Sequence, residues 1–228
     1  DRLADRTGMG EALAGAVLLG LATSLSGVVL SVTAAYQGRP ELAMSNAIGG
    51  IAVQTLFLTL ADMAVKRVNL EHAAASLGNM LQGTLLLCLL AIILVGTFSP
   101  EFTVWSVHPA TLVLFGAYMY GLRIIRSGQT EGMWQPRQTD ETREDVPDEE
   151  SGAHSLTGLW VRFVALAATL GLSGWVLNHA ATAIADQTAI GEAAIGSLLT
   201  ATVTSLPELV TTVAAARRGA LTLAVGGI

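Results

Sequence analysis

The chain has 228 residues, of which 52% are hydrophobic and only 13% charged, with net charge −6 and mean hydropathy +0.56. Soluble domains carry about 25% charged residues, and several apolar runs here approach the roughly 20 residues that cross a bilayer. A soluble domain is therefore excluded in favour of an all-α, polytopic transmembrane helical bundle.

The chain opens on "DRLADRTGMG", which lacks the charged-then-apolar pattern of a signal peptide. Six long apolar segments follow: helix A at 9–36, B at 41–66, C at 73–98, D at 107–126, E at 156–183 and F at 188–216. A seventh begins at Ala220 and is cut at "LAVGGI", so both ends are expected to continue. Cys88, the sole cysteine, lies in an apolar run, so no intrachain disulfide can form. Between D and E runs "SGQTEGMWQPRQTDETREDVPDEESGAHS", polar and acidic with little to bury. It reads as a solvated linker, and its carboxylates holding a regulatory cation is the second reading. The expected organisation is a first membrane repeat over 1–126 lacking its first helix, an acidic loop over 127–155, and a second, C-terminally incomplete repeat over 156–228.

Threading six helices collects Arg2, Arg6, Lys66, Arg67, Arg123, Arg126, Arg137, Arg143, Arg162, Arg217 and Arg218 on one side and leaves Arg39 alone on the other. Short loops rich in Lys and Arg stay in the cytoplasm. The sequence thus predicts a plasma or inner membrane protein with its 127–155 loop cytoplasmic.

The segment from Leu3 to Gly38, "LADRTGMGEALAGAVLLGLATSLSGVVLSVTAAYQG", aligns without gaps on Ile184 to Gly219, "IADQTAIGEAAIGSLLTATVTSLPELVTTVAAARRG", with 16 of 36 positions identical. Polar positions recur as Asp5/Asp186, Thr7/Thr188, Glu11/Glu192, Thr23/Thr204 and Ser24/Ser205. Helices A and F are an odd number of crossings apart, so the copies run in opposite directions. Inverted repeats of this kind place a shared site near the midplane between them. By the same symmetry, a partner of E is expected before Asp1, and partners of B, C and D after Ile228.

Most of the 18 acidic residues have plain explanations. Glu131, Asp140, Glu141, Glu144, Asp145, Asp148, Glu149 and Glu150 fall in the acidic loop; Asp1, Asp5, Glu71, Glu101 and Asp186 fall in end segments or short loops. Glu11, Glu41 and Glu192 suit the first turn of a helix, where the dipole favours an anion, and Asp62 reads as an interfacial pair with Lys66. Glu208 remains. It precedes Arg217 by nine residues, about 14 Å along a helix, which sets it near the bilayer centre. A charge at that depth is a functional site by default, the alternative being a protonated or hydrogen-bonded structural glutamate. Pro207 removes a backbone donor and is expected to free carbonyls around Val203 and Thr204. With the Thr204 and Ser205 hydroxyls, these are oxygens that suit a hard cation.

The motifs "TSLPEL" at 204–209, "ATSLSG" at 22–27 and "SNAIGGIAVQT" at 45–55, carried on a duplicated frame, resemble the sodium/calcium exchanger superfamily. The resemblance implies a secondary active antiporter that exchanges Ca2+ or another cation for Na+ or H+ by alternating access. It implies Glu208, Thr204 and Ser205 as ion ligands in the second repeat, with Thr23 and Ser24 as counterparts in the first. Departures accompany it: Gly27 stands in place of the first-repeat glutamate, Ser26 in place of its proline, Gly50 and Gly227 in place of serines, and Gln54 in place of an asparagine. Gln54 offers either an amide oxygen to an ion or a hydrogen bond between helices. One visible carboxylate opens the alternatives of a monovalent cation/proton antiporter and of a degenerate, ion-sensing member. The expected partners are the lipid bilayer and inorganic cations, Ca2+ and/or Na+ bound transiently, with no cofactor and no nucleic acid. A rival reading takes "GLSGW" for an intramembrane serine protease, but Ser173 and His179 are six residues apart on one helix. They would face away from each other, so no enzyme is expected.

Overall fold

The computed structural model describes residues 18–64, 72, 74–100, 102–103, 107–131, 156–218 and 221–228. Outside them lie the start of helix A with Asp5, Thr7 and Glu11, the basic pair Lys66 and Arg67, Glu71, Glu101, and the loop carboxylates from Asp140 to Glu150. The helices are α1 (Gly20–Thr23), α2 (Leu25–Tyr36), α3 (Pro40–Ala64), α4 (Leu77–Thr97), α5 (Pro109–Glu131), α6 (Leu156–Gln187), α7 (Glu192–Ala194), a π-helical turn (Ile195–Thr200), α8 (Ala201–Thr204), α9 (Leu206–Arg218) and α10 (Leu221–Gly226). Four stretches, Pro40–Met63, Leu77–Thr97, Leu156–Gln187 and Glu192–Arg217, are long and apolar enough to cross a membrane. The protein is an all-α polytopic membrane protein.

Local chemistry sets several boundaries. Gly38 takes a positive φ of 76°, a conformation that costs glycine no steric clash, and lets the chain turn out of α2. Pro40 then opens α3 with Glu41 in its first turn, where a missing N–H and a negative charge are both tolerated. Ser76 caps α4 by accepting a hydrogen bond from the Asn79 N–H. Helix D ends at Glu131, five residues beyond the expected Arg126.

Helices A and F, each given as one segment, are both broken, F beside Pro207 where the sequence leads one to expect disruption and A where it gives no such sign. The first is interrupted at Ser24 and the second at Ser205, which the internal duplication aligns with each other. Both serines have ψ close to zero, −6° and 0°, a sparsely used region between helix and strand. Pro207 accounts for the second break. The first has no proline, but Ser24, Ser26 and Gly27 are weak helix formers. A π-turn precedes the second break, and such widened turns gather at functional positions.

The described residues form two compact units, one drawn from residues 1–73 and 143–228 and the other from residues 74–142. In the smaller unit α4 packs on α5, with Gly121 directly beneath the side chain of Leu85. In the larger unit α2 packs on α6 and α3 on the π-turn, around a core of Ala34, Leu42, Ala181 and Ile195. Glycines allow these approaches. A Cβ on Gly49 would lie 2.6 Å from the Ser197 Cα, and one on Gly174 would collide with the Ser26 carbonyl. Small residues at helix crossings are the usual means of packing where lipid supplies no hydrophobic drive.

Arg39 is not isolated. It donates through Nη2 to both carboxylate oxygens of Asp186, at 2.7 and 2.9 Å, and through Nη1 to Glu192 Oε1 at 2.8 Å. Asp186, expected in a short loop, lies in the last turn of α6, and Glu192 lies in the first turn of α7. The hydrogen bond that Arg39 donates to Asp186 raises the Arg39 pKa above its ordinary value, so the guanidinium stays charged at any physiological pH. The cluster ties the α2–α3 turn to the α6–α7 turn. Because it is solvated, Arg39→Ala should lower the unfolding temperature only slightly, by about 2–4 °C. Salt at 1 M should erase that difference by screening; a drop that persists in salt would contradict an electrostatic origin.

Candidate cation site

The two breaks meet. Ser24, at the first, donates its hydroxyl to Glu208 Oε1 at 3.0 Å. Ser26 donates to the Thr204 carbonyl at 3.1 Å. Ser26 is the residue that the duplication aligns with Pro207, so the first repeat caps a carbonyl at the break that proline makes in the second. The expectation that the Thr204 carbonyl stands free for an ion is thereby corrected: a buried acceptor without a partner is costly, and here a serine hydroxyl serves it.

Glu208 is 1% exposed. Its Oε1 has the Ser24 hydroxyl, whereas Oε2 is buried with no hydrogen-bond partner. An orphaned carboxylate oxygen in a protein interior calls for a cation, a proton or a water. Beside it lies a cavity of about 360 Å³ lined by Ser24, Gly27, Ser31, Asn46, Gly50, Gln54, Thr204, Ser205 and Glu208, together with Val28, Val32, Ala47 and Ile51. The polar lining is neutral apart from Glu208. Its donors come from α2 and from the break before it, from α3, and from both sides of the second break.

Five of the six residues singled out from sequence, Ser24, Gln54, Thr204, Ser205 and Glu208, therefore share one cavity wall. Thr23 is not among the lining residues, although its side chain lies within reach of the Glu208 carboxylate. Its hydroxyl donates to the Leu19 carbonyl at 2.9 Å and reaches Gly20 O at 3.3 Å, one turn back on its own helix. Gly50, where the resemblance leads one to expect a serine, lies against Ser205: a Cβ there would be 3.8 Å from Ser205 Oγ.

Asn46 and Ser31 also line the cavity, with Thr200 bonded behind them, and none was singled out from sequence. The Asn46 amide oxygen accepts from Thr200 Oγ1 at 2.8 Å and lies 3.4 Å from Thr204 Oγ1, whose hydrogen goes to the Thr200 carbonyl at 2.8 Å. The amide nitrogen donates to Ser31 Oγ at 3.0 Å and the Gly27 carbonyl at 3.4 Å. A buried amide early in an apolar helix was the available signal, since such side chains bond across helices. No group of three or more His, Cys, Asp or Glu side chains converges on a metal-sized space among the described residues. Ser173 donates to the Leu170 carbonyl at 2.7 Å, and His179 Nδ1 lies 2.9 Å from the Trp175 carbonyl. Each is bonded to its own helix.

The sodium/calcium exchanger protein family matches residues 1–123 and 157–228. The chain is also 28% identical over 222 residues to the inner membrane protein YrbG of Escherichia coli strain K12. That alignment takes in 97% of this chain and 65% of the relative's length. No solved structure matches. With a duplicated, twice-broken helical frame closing on a buried carboxylate, and with the family match running over both repeats, the chain belongs to the sodium/calcium exchanger family.

Proposed function

We propose that the protein is a secondary active cation antiporter that works by alternating access, with the transported cation held at the cavity beside Glu208. One observation carries this reading: a carboxylate oxygen is buried without a partner in a space walled by hydroxyl and amide groups from both repeats. Hard cations shed water only where such oxygens replace it, and the carboxylate offsets the charge. Broken helices at the midplane, related by an inverted repeat, form a site that either face of the membrane can reach as one helix group rocks against another.

The resemblance suggests Ca2+ exchanged for Na+ or H+. The relative from Escherichia coli is described as an inner membrane protein, which supports a plasma or inner membrane location, with the 127–155 loop on the cytoplasmic side by the distribution of Lys and Arg. Because this chain spans 65% of that relative, the activity is proposed for the intact protein. A degenerate, ion-sensing member is the second reading, favoured by the replacement of a carboxylate by Gly27.

Counterflow separates the two. In proteoliposomes loaded with one cation and diluted into another, an antiporter accumulates the external ion against its gradient until the internal one is spent. A sensor binds but accumulates nothing, and that result would end the transport reading.

A further inference from the structure

Two serine hydroxyls of the first break reach across to the second. Ser24 donates to Glu208 Oε1 at 3.0 Å, and Ser26 donates to the Thr204 carbonyl at 3.1 Å. Their surroundings differ. Ser24 lines the cavity beside Glu208, whereas Ser26 lines a separate, mostly apolar groove of about 500 Å³ with Thr169, Ser173, Val203 and Pro207. Thr204 lines the cavity and is held by Ser26 at its backbone. Ser26 therefore touches the candidate cation site only through a residue that forms it.

The peptide so held is the one at which the helix breaks. Thr204 ends α8, and Ser205, with ψ at 0°, turns the chain into α9. A peptide unit is planar, so fixing the Thr204 carbonyl fixes the plane between Thr204 and Ser205. That plane sets the directions in which both residues meet the cavity they line. Ser26 and Thr204 are buried, and a buried acceptor without a donor is costly. The other hydroxyls of the groove are committed elsewhere: Thr169 donates to the Ala165 carbonyl at 2.9 Å and Ser173 to the Leu170 carbonyl at 2.7 Å. The duplication aligns Ser26 with Pro207, and proline has no hydrogen to donate from backbone or side chain. The bond thus exists because the two copies differ at this position.

We infer that Ser26 is a positioning residue for the cation site: from outside the cavity, its hydroxyl sets the orientation of Thr204 and Ser205 and keeps Ser24 within reach of Glu208. This rests on the reading of that cavity as the cation site, and it names a residue beyond the lining on which cation affinity depends.

The test uses the intact protein and two readouts: the rise in unfolding temperature caused by sodium or calcium, and tracer exchange of each ion in proteoliposomes. Ser26→Ala should weaken the apparent affinity for whichever ion the native protein binds by about tenfold, roughly the worth of one hydrogen bond, with a smaller change in maximal rate. Ser26→Cys fills the same space with a poor donor and should behave as alanine does. Ser26→Thr restores the hydroxyl, its added methyl having the groove to enter, and should recover the native affinity. A residue that only supports the fold would lower the unfolding temperature in cation-free buffer and leave cation affinity unchanged. That result in the alanine and cysteine variants overturns the inference and leaves the antiporter reading intact. Should alanine fail to fold, native affinity in the cysteine variant overturns it equally. A native protein that binds an ion without exchanging it overturns the antiporter reading alone, and the affinity series still decides the role of Ser26. Neither binding nor exchange of either ion overturns both.

Discussion

Replacing Glu208 by glutamine should reduce cation exchange by about 100- to 1,000-fold while leaving the protein at least as stable as before. The two effects have separate origins. Gln has the shape of Glu and retains an oxygen for the Ser24 hydroxyl, which lies 3.0 Å from Oε1. It removes the one negative charge among the residues lining the cavity. Leaving a buried cation without its counter-charge costs about 3–5 kcal/mol, and each 1.4 kcal/mol is about tenfold in affinity. With no cation bound the balance reverses. Oε2 is buried without a partner, so the native residue already carries a desolvation cost of about 1–3 kcal/mol that the neutral variant lessens. Exchange should be measured in proteoliposomes and stability by thermal unfolding in cation-free buffer. A glutamine variant that exchanges at the native rate would remove Glu208 from the transport site. One that loses exchange together with its fold would show Glu208 to be a structural residue.

How much of this site sequence exposes depends on charge. Glu208 stands out because a carboxylate nine residues before Arg217, inside an apolar helix-length run, has no inexpensive explanation. Pro207 marks the second break in the same direct way. The break at Ser24 has no such mark, and only the duplication hints that two copies sharing "TSL" bend alike. Asn46 escapes because hydropathy treats an amide as one more mildly polar residue in a 25-residue helix. Its importance lies in partners on α2 and on the second broken helix that no local window contains. Thr23 behaves as its repeat partner Thr204 does, each hydroxyl bonding the carbonyl one turn back, Leu19 O at 2.9 Å and Thr200 O at 2.8 Å; the two differ in that Thr204 also lines the cavity. Arg39 likewise reads as a lone charge until folding brings Asp186 and Glu192, 147 and 153 residues away, against its guanidinium.

The geometry around Glu208 also depends on a contact with no chemistry of its own. Gly174, buried on α6, lies so close to α2 that a Cβ built on it would overlap the Ser26 carbonyl and come within 2.8 Å of both Ser26 C and Cα. Those atoms are backbone and cannot rotate aside. Gly174→Ala must therefore part α2 from α6, the pair that packs most extensively in the larger unit. Overpacking of this kind costs about 1–3 kcal/mol. Ser26 caps Thr204, and Ser24, two residues earlier, holds Glu208, so the displacement should also loosen the cation site and reduce exchange. Gly171, one turn earlier on the same helix, is the matched control. Its nearest neighbour would be Val29 Cγ2 at 3.7 Å, an ordinary contact. Gly171→Ala should leave exchange intact and stabilise the protein by about 0.5–1 kcal/mol, because glycine is a poor residue for a helix interior. Opposite shifts in unfolding temperature for two alanines three residues apart would demonstrate the close crossing. Equal shifts would mean that α2 and α6 do not touch at Gly174, and that Ser24 is held against Glu208 by other means.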